Sequence, residues 1–348
     1  MLITLLSFVF VLGILIFIHE LGHFAVAKWV GIRVEKFSLG FPPNIFAKKR
    51  GDTTYCIGII PLGGFVKMAG ENPDDQASGA PDEFQSKTVS QRAAVIFAGP
   101  FMNYIAAIFF MILYVAVIGF PKIDERGVAV GAVVEESPAA VGGLIEGDVI
   151  LTIDGQETKD FETLRGLISP NPGNEIDVTW LRGDETLSAT MVPSAEIRDK
   201  DTIGMIGFSQ AREPVPLGQA FQEGFLYTHY VVAATGKWLA EFFTGESSAS
   251  QIGGPIFIAK ESGKAARNGL GPLLHLLGLL SINLAILNVL PIPVLDGAHL
   301  VFLALEKIKG DPISLKARLV AQQIGLVMIL SLMVLVTYND IVRVFFGN

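Results

Sequence analysis

The chain has 348 residues, of which 51% are hydrophobic and only 17% are charged, and its mean hydropathy is +0.50. Soluble chains carry about 25% charged residues, so this composition excludes a disordered protein and argues against an ordinary soluble enzyme. The net charge of −8 leaves no basic excess for a nucleic-acid backbone, and the single cysteine, Cys56, excludes an internal disulfide. The composition therefore predicts a membrane protein.

Four apolar stretches are each long enough to cross a bilayer, which takes about 20 residues. They lie at 2–27, between Arg92 and Lys122, between Arg267 and Asp296, and between Arg318 and Asp340. The first stretch lacks the basic n-region of a signal peptide, and its apolar run is too long for one. Phe221–Phe243 is expected to be an amphipathic helix on the outer membrane surface, with a fifth span as the weaker alternative.

Basic residues predict which segments face the cytoplasm. Nine Lys and Arg lie between positions 28 and 92 and four between 306 and 318, whereas the N-terminus has none and the C-terminal tail has only Arg343. The positive-inside rule therefore places these two loops in the cytoplasm and both termini outside. The segment 120–269 then faces outward, and its 22 acidic and 12 basic residues give it a net charge of −10.

Between the first two spans the sequence alternates short β-prone runs with turn residues. Phe37–Phe41 and Tyr55–Ile60 are separated by Pro42-Pro43 and Gly51-Asp52, and they predict hairpin strands at the cytoplasmic membrane face. The stretch Asn72–Asp82 is rich in Asp, Pro, Gly and Ser and predicts a loop.

The outward-facing segment predicts a small α+β domain. Its predicted strands and helices are a strand at 128–135, a helix at 137–140, a strand at 149–153, a hairpin turn at 154–155, a helix at 161–168, and strands at 176–181 and 187–192. This order resembles a bacterial PDZ domain, which binds an extended peptide as an added strand. Ile203–Phe208 is similar to the carboxylate-loop strand of such domains. The alternative is a β-rich domain without a peptide ligand.

His19-Glu20-Leu21-Gly22-His23 is the most informative string in the sequence. On a helix, positions i and i+4 share a face, so both imidazoles can bind one ion while Glu20 lies beside it as a general base. Ionisable groups are costly inside an apolar span and are rarely kept there without a use. The alternative is a buried cluster of hydrogen-bonded side chains that joins helices without a metal.

A catalytic zinc held by two histidines needs a third protein ligand and one open position. Cys56 and His299 are candidates, but Asp296 is the better one, because it is the only carboxylate between Lys264 and Glu306. It follows a Pro-rich break, Asn288–Leu295, which is expected to bend the third span and turn polar groups inward.

Together these motifs resemble the site-2 proteases, a family of zinc intramembrane metalloproteases. The resemblance covers the whole chain and includes two further strings, Pro61–Phe65 and Gly99–Asn103. It implies that His19, His23 and Asp296 bind Zn²⁺, that Glu20 is catalytic and that Asn288 holds the substrate or its oxyanion. It also implies that Gly63 and Gly64 lie in a membrane-associated β-loop that pairs with an unwound substrate.

The expected fold class is a polytopic α-helical membrane protein with about four transmembrane helices, a membrane-associated β-hairpin region and one inserted PDZ-like α+β domain. The membrane domain comprises residues 1–120 and 269–348. The extracytoplasmic PDZ-like domain spans 121–212, and a linker with the amphipathic helix spans 213–268.

The resemblance implies a zinc-dependent intramembrane endopeptidase of the bacterial inner membrane that cleaves single-span membrane proteins, such as anti-sigma factors or remnant signal peptides. The expected partners are these substrates, the lipid bilayer and an extended peptide at the PDZ-like domain; no nucleic acid is expected. A catalytically silent scaffold is disfavoured by the intact Glu20. A metal transporter is disfavoured because the sequence has one ionisable cluster and no inverted repeat.

Overall fold

A computed structural model describes residues 1–71, 79–198, 201–246 and 253–345 of the chain. The chain divides into two compact units. The helical unit comprises Met1–Tyr114 and Phe221–Gly347, and the inserted unit comprises Val115–Ala220. The inserted unit contains the segment predicted as a PDZ-like domain. Most of the loop predicted at Asn72–Asp82 lies outside the described residues.

The helices and strands are numbered in chain order. The helices are α1 (Leu2–Trp29), α2 (Val89–Ile118), α3 (Pro138–Val141), α4 (Phe161–Ile168), α5 (Leu217–Thr244), α6 (Pro255–Arg267), α7 (Leu270–Val289), α8 (Asp296–Lys309) and α9 (Leu315–Phe345). The strands are β1 (Val34–Arg50), β2 (Thr53–Met68), β3 (Phe120–Pro121), β4 (Ile123–Asp124), β5 (Gly127–Val133), β6 (Val149–Ile153), β7 (Gln156–Glu157), β8 (Ile176–Arg182), β9 (Glu185–Met191), β10 (Ser194–Arg198), β11 (Asp201–Met205), β12 (Phe208–Gln210) and β13 (Arg212–Glu213).

Within the described parts of the chain, four helices, α1, α2, α7 and α9, are long and apolar enough to cross a membrane, as the sequence predicts. In α1 and α9 large apolar side chains face outward, and Leu5 and Val334 are 60% and 71% exposed. Soluble monomers rarely expose contiguous apolar patches larger than a few hundred Å², because such surface is unfavourable in water. The outer faces of these helices therefore suit a lipid environment.

Helices α1, α2 and α7 pack around a shared apolar cluster of buried residues. Its members are Val11, Leu15, Ala106, Phe110, Leu274 and Leu277. Where α1 crosses α2 the two backbones touch, since a Cβ atom at Gly22 would lie 2.2 Å from the Ala98 carbonyl oxygen. Glycine at this position therefore allows the two helices to approach until their backbones touch.

Helix α5 includes the predicted helix at Phe221–Phe243 and packs against α2 and α7. Its Gly224 lies against Ile112 of α2, where a Cβ atom would come within 2.6 Å of the Ile112 Cα atom. The Tyr227 hydroxyl lies 3.0 Å from Nε2 of His275 in α7. Helix α5 is thus attached to two of the four apolar helices through both close packing and a polar contact.

Strands β1 and β2 form the predicted hairpin, but they are longer than the sequence indicates. The turn pairs Arg50 with Thr53, as the Gly51-Asp52 signal predicts, and the register shifts repeatedly beyond it. As a result the segment 36–39 lies between 54–57 on one side and 64–67 on the other. Segment 64–67 therefore forms an edge of the hairpin sheet.

Helix α7 ends at Val289 and helix α8 begins at Asp296, so the chain breaks where the Pro-rich string predicts it. Glu306, near the end of α8, lies 3.2 Å from Nη1 of Arg92 in α2 and 3.8 Å from Nη2 of Arg318 in α9. Glu306 and Arg92 are both buried. This ion-pair network fixes the helix on which Asp296 is the first residue.

The inserted unit has a sheet with strand order β12-β5-β6-β8-β9, to which β4 and β7 add short pairings. Helix α4 begins after Asp160, whose carboxylate accepts a hydrogen bond from the Thr163 N–H at 2.7 Å. The turn at Asp154-Gly155 joins β6 to β7, and both residues have positive φ, as a two-residue hairpin requires. The predicted order of strands and helices up to Met191 is confirmed.

The strand predicted at Ile203–Phe208 is wrong, because the chain breaks there into two strands. Strand β11 pairs with β10, while β12 pairs with β5 and lies at the edge of the main sheet. The break falls at Gly207, where φ is +85° and a Cβ atom would lie 2.4 Å from the Ser137 Cβ atom. Extended backbone does not continue through such a residue, and alternating hydrophobicity alone does not reveal it.

Candidate metal centre

Three potential ligand atoms converge at one point in the helical unit. Nε2 of His19 and Nε2 of His23 are 3.2 Å apart, and Asp296 Oδ2 lies 3.2 Å from the first and 3.6 Å from the second. The two histidines come from adjacent turns of one face of α1, and Asp296 comes from the start of α8. The structure therefore brings together all three residues that the sequence proposes as metal ligands.

The spacing and chemistry of these atoms fit a bound cation. Ligand atoms about 2.0–2.1 Å from a tetrahedral zinc lie about 3.3 Å from one another, which is close to the separations found here. Asp296 Oδ2 is buried, and among the described residues it makes no hydrogen bond of good geometry, although the Nε2 atoms of His19 and His23 are its polar neighbours. Because an unpaired buried acceptor is costly, this oxygen fits a site that a positive ion completes.

Helix α2 fixes the tautomer of His23. The Nδ1 atom of His23 lies 2.8 Å from the Val95 carbonyl oxygen. A carbonyl can only accept a hydrogen bond, so Nδ1 carries the proton and Nε2 keeps its lone pair towards His19 and Asp296. Zinc-binding histidines are held in this way in other proteins.

Glycine at position 99 makes room for both imidazoles beside α2. A Cβ atom there would lie 2.3 Å from Nε2 of His23 and 2.8 Å from Cε1 of His19. The sequence contains Gly99 in the string Gly99–Asn103, but it does not show that the string faces the histidines. Asn103, in the same string, is buried and lies 3.2 Å from Nδ1 of His19.

A cavity of about 270 Å³ opens at the converging atoms. Besides the three ligand candidates, its lining includes Glu20, Asn288 and the hairpin residues Phe65 and Val66. Glu20 and Asn288 thus share one cavity with the metal candidates. Phe65 and Val66 add the hairpin edge to its wall.

Gly63 and Gly64, the two glycines predicted to lie in a substrate-pairing β-loop, differ in their surroundings. A Cβ atom at Gly64 would lie 2.8 Å from the Ser38 carbonyl oxygen and 3.1 Å from Cγ of Glu20, so Gly64 adjoins the cavity. A Cβ atom at Gly63 would instead lie 2.3 Å from the Phe41 ring. Gly63 therefore packs within the hairpin sheet, away from the histidines.

The two alternative ligands lie outside the converging group. His299 lines the same cavity from α8, but it is not part of the group formed by His19, His23 and Asp296. Cys56 lies in β2, where its thiol is 4.0 Å from the Thr54 carbonyl oxygen. Among the described residues the geometry therefore favours Asp296 as the third ligand.

The sequence profile of peptidase family M50 matches residues 7–332. The zinc metalloprotease RasP of Bacillus licheniformis is 30% identical over 422 residues, covering 98% of this chain and 99% of that protein. A chain from Agrobacterium fabrum, with the provisional name of a zinc metalloprotease, is 37% identical over 365 residues, covering 97% of this chain and 95% of its own.

Two solved PDZ domains are similar to about a quarter of the chain. The PDZ domain of an SdrC-like protein from Listeria monocytogenes is 31% identical, with a TM-score of 0.23, and the match covers 26% of this chain and 93% of that one. The corresponding PDZ domain from Listeria innocua is 32% identical, with a TM-score of 0.22, and covers 25% and 96%.

Proposed function

Because the chain belongs to peptidase family M50 and is a zinc metalloprotease, we propose that it cleaves membrane-spanning segments of other proteins within the bilayer. The observation that supports this proposal most directly is the position of His19 deep within the apolar helix α1. His19 lies about ten residues, or about 15 Å of helix rise, before the end of α1 at Trp29. The apolar stretch of α1 continues on both sides of it. A peptide bond that reaches these atoms must enter the hydrocarbon region.

The residues around the cavity supply the groups for peptide hydrolysis. Bound zinc would supply a Lewis acid that polarises the scissile carbonyl and lowers the pKa of a water towards about 7. Glu20 would take the proton of the attacking water and return it to the leaving amine nitrogen. The Asn288 side-chain amide would donate a hydrogen bond to the developing oxyanion. His19, His23 and Asp296 would hold the ion.

The hairpin edge offers a way to present the substrate. A helical substrate has its backbone groups paired internally, so it must unwind before a carbonyl becomes accessible. Phe65 and Val66 lie in the edge segment of the hairpin sheet and line the cavity. We propose that an unwound stretch pairs with this segment as an added strand, and that Gly64 lets the strand lie directly against Glu20.

The inserted unit is proposed to control which substrates reach the site. Strand β12 lies at a sheet edge. The ring of Phe208, at its start, packs edge-on against the ring of Phe161 in α4, with the two ring centroids 6.1 Å apart. A strand edge beside a helix is the surface on which PDZ domains bind extended peptides. The distribution of basic residues supports the proposal that this unit lies outside the cytoplasm of a bacterium and the hairpin inside. Single-span proteins with short outer domains would be the substrates.

The test uses a single-span reporter protein in liposomes that contain the purified protease. Glu20→Gln removes the proton acceptor but none of the three proposed ligands, so cleavage should fall about 10²–10⁴-fold while one zinc per chain is retained. Glu157→Gln, at an exposed carboxylate of the inserted unit, is the matched control and should cleave like the wild type. If Glu20→Gln cuts the reporter at the wild-type rate, the proposed chemistry is wrong.

A further inference from the structure

One face of α2 carries a regular arrangement of groups opposite the histidines. Val95, Gly99 and Asn103 are spaced four residues apart, so they lie on the same face of the helix. The Val95 carbonyl accepts from His23, Gly99 leaves space for both rings, and the Asn103 amide reaches His19. Helix α2 therefore forms a cradle for both imidazoles and contributes none of the three converging ligand atoms.

Asn103 is an unusual residue for its position. It is fully buried in the middle of a helix that has no charged residue between Arg92 and its end at Ile118. Burial of an amide is unfavourable unless hydrogen bonds compensate for the lost contacts with water. Its Nδ2 atom lies 3.2 Å from Nδ1 of His19, while its Oδ1 atom has no donor among the described residues.

We propose that Asn103 is a positioning residue for zinc binding, which accepts the Nδ1 proton of His19 through its Oδ1 atom. This inference rests on the zinc site proposed above. With the proton on Nδ1, the lone pair of His19 lies on Nε2, the atom that faces His23 and Asp296. Asn103 would thus do for His19 what the Val95 carbonyl does for His23.

An amide suits this position because it can match either tautomer of the ring. With Nδ2 towards the ring, Nδ1 of His19 is the acceptor and its proton lies on Nε2, which excludes a metal there. A half-turn of the amide brings Oδ1 to the same place and moves the proton to Nδ1. Of these two arrangements, only the one with Oδ1 towards the ring is compatible with zinc on Nε2 of His19.

The first measurement needs no variant. In zinc-loaded protein labelled with ¹⁵N-histidine, two of the five histidines should each show a protonated Nδ1 and a metal-bound Nε2. Their signals can be identified by single substitution of His229, His275 and His299. A metal-bound His19 whose Nδ1 carries no proton, or whose metal is on Nδ1, would overturn the inference.

The second measurement is the zinc affinity of two variants with opposite chemistry. Asn103→Asp keeps an acceptor oxygen, whereas Asn103→Leu keeps the approximate volume and removes the acceptor. Loss of an outer-shell partner weakens metal binding by about 10–100-fold, so Leu should bind zinc that much more weakly than the wild type and Asp should stay within a few fold of it. A mere packing role gives the reverse order, because a buried apolar side chain is then tolerated better than a carboxylate.

Thr228→Val is the matched control, since it removes a buried hydroxyl of α5 that donates a hydrogen bond to the Gly224 carbonyl of the same helix. Its zinc affinity should equal that of the wild type. If Asn103→Leu also binds zinc like the wild type, the positioning role is refuted while the protease proposal stands. If the wild-type chain binds no zinc, both proposals fail.

Discussion

Substitution of Gly99 by alanine tests whether the contact of α1 with α2 shapes the metal centre. The added methyl carbon would lie 2.3 Å from Nε2 of His23 and 2.8 Å from Cε1 of His19. Non-bonded carbon and nitrogen atoms need about 3.5 Å, so the rings or the helix must move apart by about 1 Å. The His23 ring cannot move freely, because its Nδ1 atom is bonded to Val95 on the same helix.

A displacement of this size should disrupt both zinc binding and cleavage. Metal–ligand distances tolerate about 0.2 Å, so we expect Gly99→Ala to weaken zinc binding at least about 10-fold. A misplacement of about 1 Å in a catalytic site can reduce the rate about 10²-fold. Alanine favours a helix more than glycine does, so a weakened α2 would not explain the loss.

The assay compares zinc affinity, by competition with a chelator, and reporter cleavage in liposomes. Gly13→Ala is the control, since it makes the same change within α1 at a position with no described heavy atom within 4 Å. It should bind zinc and cleave like the wild type. Equal zinc affinity and cleavage for Gly99→Ala and Gly13→Ala would refute the claim that Gly99 sets the space for the imidazoles.

Three further predictions concern the hairpin, the ion-pair network and the inserted unit. Gly64→Val should lower the cleavage rate at least about 10-fold with zinc content unchanged, because the added side chain would meet Ser38 and Glu20. If this variant cleaves at the wild-type rate, the hairpin edge does not bind the substrate. Glu306→Gln should lower the free energy of unfolding of the helical unit by about 3–5 kcal/mol, because it leaves Arg92 buried without its counter-charge. The double variant Arg92→Met, Glu306→Leu should lose less stability. Denaturant unfolding measures both variants, and equal losses would contradict the reasoning. In the inserted unit the Arg126 guanidinium lowers the pKa of Asp124 to about 2, so the unfolded chain, with an ordinary Asp pKa near 4, binds this proton more readily. The contribution of Asp124 to stability is then present above about pH 4 and is lost as the pH falls towards 2. Asp124→Asn should therefore flatten that part of an acid-unfolding curve. An unchanged curve would exclude the Asp124–Arg126 ion pair as a cause of the acid sensitivity.

The local patterns of the sequence determined the parts of this protein that depend on one element at a time. His19, Glu20 and His23 can be assigned together because helix geometry alone places positions i and i+4 on one face. The four apolar helices follow from run length and composition, since the bilayer sets both. Asp296 can be proposed from the sequence for a similar reason, because it is a single carboxylate next to a Pro-rich break. The turn at Asp154-Gly155 is likewise set by the two residues within it.

The tertiary structure decided what depends on contacts between distant elements. The hydrogen bond of His23 to Val95, the space left by Gly99 and the approach of Asn103 to His19 all join α1 to α2, and no periodicity within either helix encodes their mutual rotation. The same holds for the hairpin, where shifts of register bring the edge segment to Glu20. It also holds for Gly207, whose positive φ ends one strand beside Ser137 before the next begins. The sequence by itself thus identified the atoms that can bind a metal, whereas helix packing decided which neighbours hold those atoms in place, because packing is a property of two surfaces and not of one.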